Sequence, residues 1–161
     1  MGPRGRCACL LVIVLLCSCH SGEPPSGLDG LGTTFGLEYT VSGGFVGGVH
    51  RAMTIDSNGS VTLSTYDPPI RGSLTSAEQT QLSSFADFFW VQPDTLRGGC
   101  MDDFTYVIAW TGTRGTKVVS VDGCVLMHIS GPRYPILEGV VALLDTIAAR
   151  VHREGTAWRG V

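Results

Sequence analysis

The chain has 161 residues, 43% of them hydrophobic and 16% charged, with a formal net charge of −3. That length suits one domain. The acidic balance argues against nucleic acid and against anionic lipid surfaces as partners.

Residues 1–6 carry Arg4 and Arg6, and the apolar run "CACLLVIVLLCSC" follows. A basic start and a short apolar run form a secretory signal, too short to span a membrane as a mature helix. The run closes on "LCSC", residues 16–19, which resembles the bacterial lipobox. A leucine stands three residues before Cys19 and a small serine directly before it. The resemblance implies cleavage before Cys19 and a lipid on its thiol and amine. Cys17 fits less well, because bulky Leu16 would stand where a small residue is needed. Residues 1–18 are therefore expected to be a lipoprotein-type signal peptide, the alternative being an ordinary signal peptide cut nearby. Cleavage removes Arg4 and Arg6 and leaves nine basic against fourteen acidic side chains, net −5. The expected location is the bacterial cell envelope, with attachment to the membrane by the lipid. His20 after Cys19 carries no obvious inner-membrane retention signal, which favours the outer membrane in a cell with two.

Cysteine usage agrees. Of six cysteines, four lie at positions 7, 9, 17 and 19. Cys100 and Cys124 remain as an even pair in an oxidising compartment, where a disulfide is the default.

Residues 19–35 are rich in Gly, Ser and Pro and read as a flexible tether. The domain is expected over 36–152, with 153–161 as a C-terminal tail. "LEYTV" at 37–41 alternates as a half-buried strand, and "VHRAMTID" and "SVTLSTY" extend the sheet around the turn "DSNGS". "DPPIRG" then breaks it. "TSAE" at 75–78 has capping-box spacing and opens a helix to about residue 89. "FTYVIAWT" and "TKVVSV" form a hairpin around "GTRG". Pairing Thr111 with Thr116 places Asp103 opposite Cys124, with Cys100 a short bend away. "PILEGVVALLDTIAARV" has the strongest helical period, with Pro135 near its start. The expected fold is α+β: an antiparallel sheet of four to six strands with two helices packed on one face.

Catalytic chemistry finds little support. "SGGFVGG" at 42–48 has neither the lysine of a Walker loop nor the GxGxxG spacing of a dinucleotide fingerprint, so nucleotide is not expected. The histidines at 20, 50, 128 and 152 are too scattered for a zinc site. "MHISGP" is not GxSxG. Asp102 and Asp103 are adjacent and point apart in extended chain, which suits a solvated pair better than an acid and base. "FFW" at 88–90 reads as aromatic core at the helix end. No enzyme activity, cofactor or metal is expected.

The pieces "YTVSGGFVGGVHRAMTID", "LTSAEQTQLSSFADFFWV", "DDFTYVIAW", "GTKVVSVD" and the final amphipathic helix resemble, in that order, the emfourin family of proteinaceous metallopeptidase inhibitors. The resemblance spans residues 37–148. It implies a compact α+β domain that inhibits thermolysin-like zinc peptidases by occluding the active cleft. The matching positions are Ser42, Gly43, Gly44, Phe45 and Gly47, and with Val46 they form the candidate partner-binding loop. The anchor, the Cys100 and Cys124 pair and the longer "TLSTYDPPIRG" segment depart from the family pattern. The alternative is a non-enzymatic envelope lipoprotein acting as an interaction or structural module. Exposure of the Phe45 ring favours docking, whereas burial would make the loop structural.

Overall fold

The computed structural model describes residues 35–45, 47–101, 103–127 and 133–157. The expected signal peptide, Cys19, the tether up to residue 34, Val46, Asp102, His128 and residues 158–161 of the expected tail lie outside them.

Ten elements follow one another: β1 (Gly36–Gly43), β2 (Val49–Ile55), β3 (Ser60–Leu63), β4 (Ile70–Ser73), α1 (Ser76–Phe89), β5 (Thr95–Leu96), β6 (Phe104–Gly112), β7 (Gly115–Asp122), α2 (Gly123–Leu126) and α3 (Pro135–Ala157). The strands form one sheet in the order β4-β3-β2-β1-β6-β7-β5. All neighbours run antiparallel except β5, which pairs parallel to β7. The expectation of a purely antiparallel sheet of four to six strands with two helices is corrected here. The fold is α+β, but the sheet is mixed and seven-stranded, and α2 adds a third helix. The chain re-enters as β4 directly after the two prolines at 68 and 69 and pairs with β3. The two residues of β5 are too few to show any period.

Alternation decides which face is covered. Leu37, Tyr39, Met53, Ile55, Ile108, Trp110, Val119 and Val121 share one face by register and are fully or nearly fully buried. They join Leu82 and Phe89 of α1 and Leu137, Leu144 and Ile147 of α3 in a single core. Phe35, at the end of the segment read as a tether, is buried edge-on against Trp110 at 5.9 Å. Phe89 also packs on Trp110, while neighbouring Phe88 is exposed. The α3 helix continues to Ala157, through residues 153–157 of the expected tail.

The capping box forms as its spacing predicts. The Glu78 amide donates to Thr75 Oγ1 and the Thr75 amide donates to Glu78 Oε2, at 3.2 and 2.7 Å. Arg150 of α3 then grips the Glu78 carboxylate with Nε and Nη2, at 2.9 and 2.8 Å. Its Nη2 also donates to the carbonyl of Ser73 at the end of β4, at 2.8 Å. Burial would raise the Glu78 carboxyl, but the hydrogen bonds from Arg150 and Thr75 hold it below the usual carboxylate range. One buried carboxylate thus joins β4, α1 and α3.

Candidate functional site

β1 and β2 are joined as a hairpin, with Gly44 and Gly47 at its turn. The Gly47 amide donates to Gly44 O, closing the turn, and the Gly43 amide donates to Gly48 O, both at 3.0 Å. The Gly44 amide leaves the hairpin and donates to the carbonyl of Asp103, also at 3.0 Å. Gly43, Gly44, Gly47 and Gly48 all have positive φ, from +68° to +96°. Space fixes the first two glycines as well. A Cβ on Gly43 would lie 2.7 Å from the carbonyl oxygen of Asp103, and one on Gly44 would lie 2.9 Å from Phe104 Cε1. The loop therefore lies flat on the start of β6 and projects Phe45 outward. The Phe45 ring is 89% exposed.

A bulge prepares this geometry. Val41 pairs with Arg51 but Ser42 pairs with Val49, so His50 is an extra residue on β2. Its Nε2 is 2.6 Å from the carbonyl oxygen of Gly43, and since a carbonyl only accepts, the ring nitrogen donates. The imidazole also meets the Phe104 ring edge-on at 5.2 Å.

Asp103 is the fastening beneath the loop. Its carbonyl takes the Gly44 amide, and its carboxylate takes the amides of Phe104 (2.8 Å) and Cys124. Cys100 and Cys124 are paired as a disulfide, with Cα atoms 6.3 Å apart. The hairpin register predicts this meeting, since Thr105 opposite Asp122 is the last pair before Asp103 and Cys124. The sulfurs and the carboxylate oxygen of these three residues lie within 4.8 Å of one another. With both sulfurs in the disulfide and the carboxylate held by two amides, the cluster clamps the loop and offers no thiolate to a metal.

Behind the loop lies a cleft of about 240 Å³ lined by Val41, His50, Arg51, Phe104, Tyr106 and Asp145. Asp145 of α3 accepts from the buried Tyr39 hydroxyl at 2.7 Å and pairs with Arg51 through the same oxygen. Burial, then the hydrogen bond and charge of Asp145, push the Tyr39 hydroxyl far above the usual phenol range. Tyr106 is raised too, by burial and by the charges of Asp145 and Asp103.

Of the predicted loop, Ser42, Gly43, Gly44, Phe45 and Gly47 come together in one turn, while Val46 is not among the described residues. Reasoning along the chain missed Arg51, Asp103, Phe104 and Asp145 as neighbours of that loop. Only the strand register carried a signal, since Gly43 faces Phe104 across β1 and β6. No described helix is long and apolar enough to cross a membrane. No protein-family model matches the chain, and a search of curated proteins finds no match either.

Proposed function

We propose that the chain is an envelope lipoprotein whose domain docks on another protein through the Phe45 hairpin, and that this partner is a thermolysin-like zinc metallopeptidase whose cleft it occludes. The observation that carries the reading is the Phe45 ring, 89% exposed on a loop held by three backbone hydrogen bonds and by His50. A loop already fixed loses little entropy on binding. Burying one phenylalanine side chain is worth about 1.5–3 kcal/mol, or roughly ten- to hundredfold in affinity. The partner class rests on the emfourin resemblance of residues 37–148, and the anchor on the lipobox resemblance at Cys19.

The test is a titration of the chain against several thermolysin-like zinc peptidases. Inhibition at micromolar concentration or below is expected, weakened at least about tenfold by Phe45→Ala. Absence of inhibition across the set sinks the inhibitor reading. Cys19→Ala should release the protein from membranes, and unchanged membrane association refutes the anchor. A second reading has its own support. Val49 and Phe104 are also exposed beside the turn and widen the apolar surface around Phe45. On that reading the domain is a non-enzymatic interaction module for another envelope protein. Membrane retention by Cys19, together with no inhibition of any peptidase, favours it.

A further inference from the structure

The cleft behind the loop is the middle of a longer groove along α3. A second cleft of about 290 Å³ shares Arg51 with it and reaches Tyr66, Ala149 and His152. A third, of about 240 Å³, shares Tyr106 and Asp145 and reaches Met127, Glu138 and Ala142. One wall is a single helical stripe: Glu138, Ala142, Asp145, Ala149 and His152, spaced by four, three, four and three residues. Ala142 and Ala149 are exposed, and their short side chains leave the groove open on either side of the Arg51–Asp145 pair.

We propose that this groove binds an extended peptide segment of a partner protein, with one apolar side chain seated over Phe104 and Tyr106. Length sets the size of the occupant. From Glu138 to Arg153 a helix rises about 22 Å, which about seven extended residues span. Charge sets its polarity. Exposed Arg153, beside His152, marks one end of the groove with a positive charge. An acidic residue therefore belongs near Arg153. At the centre, Arg51 is held by Asp145, which Tyr39 fixes in turn. Only Nη1 of Arg51 is used among the described residues, so its Nε and Nη2 are donors for a peptide carbonyl. The groove is separate from the Phe45 hairpin except at the central cleft, so this proposal and the docking reading fail independently.

The probe is the acetylated, amidated heptapeptide Ala-Ala-Ser-Phe-Ser-Ala-Glu, titrated into the isotope-labelled full chain and followed by NMR. Saturable shifts are expected at the Ala142 and Ala149 amides. Ala149→Trp fills the groove from an exposed helical position, and should weaken binding at least about tenfold with an unchanged melting temperature. Ala142→Gln should do the same at the other end, as a second variant that does not touch the core. Replacing the central phenylalanine of the probe by serine should cost a similar factor, and Phe45→Ala should leave binding unchanged. Lack of saturation at about 5 mM probe overturns the proposal. So does binding that survives both groove-filling variants, or binding that disappears with Phe45→Ala.

Discussion

The hairpin at 42–48 exposes its one large apolar ring, whereas the corner built by Thr75, Glu78 and Arg150 buries a carboxylate and most of a guanidinium. Each inverts the usual distribution of polar and apolar groups. The corner is explained by the fold: its charges are paired and hydrogen-bonded, and they join three elements. The hairpin is not. Phe45 is 89% exposed, yet the backbone beside it is tied to Asp103 and His50, and Asp103 in turn to the amide of Cys124. A buried charge with every bond made is architecture. An exposed ring on a supported loop is the feature on which the docking proposal rests.

The largest effect expected on the hairpin side comes from the disulfide. Replacing Cys100 and Cys124 by serine opens a loop of about 25 residues and should cost about 3.5 kcal/mol in the loop-entropy model. Denaturant unfolding measures that loss. Hydrogen exchange at Gly44 should quicken in the same variant, because the Cys124 amide helps to hold Asp103, whose carbonyl takes the Gly44 amide. If Gly44 exchange is unchanged, the disulfide does not support the loop.

Glu78→Ala probes the other side of the comparison. It strands Arg150 in a mostly buried position and should cost about 3 kcal/mol while leaving docking by Phe45 intact. The carboxyl is held below its ordinary range, so its stabilisation is complete above the ordinary glutamate pKa of 4.5. It is lost as pH falls through the lowered value. Glu78→Gln should therefore flatten the acid limb of the stability profile. A docking defect in either variant would mean that the two regions are coupled.

Gly43→Ala attacks the hairpin through its backbone. With φ at +96° and the Asp103 carbonyl 2.7 Å from the new methyl, about 2 kcal/mol is expected. Docking should fall with it, because the loop must shift. Chemical denaturation and the peptidase titration read the two effects separately, and an alanine variant that keeps both would show that the flat seat of the loop is unimportant.

Much of the architecture follows from local rules, and the two regions differ in how far those rules reach. The capping box, the alternation of β1 and the register of β6 with β7 depend on neighbours a few residues apart, and the sequence shows them. From the register alone, Cys124 is predicted to meet Asp103, with Cys100 a short bend away. The strands β4 and β5 escape because their pairing depends on partners, not on period. The ion pairs escape for the same reason. Asp145 and Arg150 read as the polar side of α3, yet they meet Arg51 and Glu78 across the fold. In the hairpin, four glycines erase the alternation that would have told whether Phe45 points in or out. That was settled by the amide of Gly44 bonding to Asp103, a contact nearly sixty residues away along the chain.

Between the two regions stands Tyr39, buried beneath the cleft and bonded to Asp145. Tyr39→Phe removes one donor and should cost about 1 kcal/mol at neutral pH. The sign at high pH follows from its raised pKa. Above about pH 10 the unfolded chain loses this proton while the folded chain keeps it, so stability falls as pH rises. The slope from one such group approaches about 1.4 kcal/mol per pH unit. The phenylalanine variant should lose that part of the alkaline slope and keep the part due to Tyr106. An unchanged slope would mean that Tyr39 ionises as readily in the folded protein as in the unfolded one.

The smallest effect on stability should belong to Phe45, the residue on which the docking proposal rests. Phe45 touches little of its own domain, so Phe45→Ala should change unfolding free energy by no more than about 0.5 kcal/mol. The same change should weaken partner binding at least about tenfold. The contrast with Glu78→Ala is the point of the experiment, because that variant should lose stability and keep docking. A Phe45→Ala protein that is clearly destabilised would place the ring among the structural contacts of the domain and would remove the argument from exposure. One that is stable and binds as before would leave the rigid, glycine-seated hairpin without the function its construction implies.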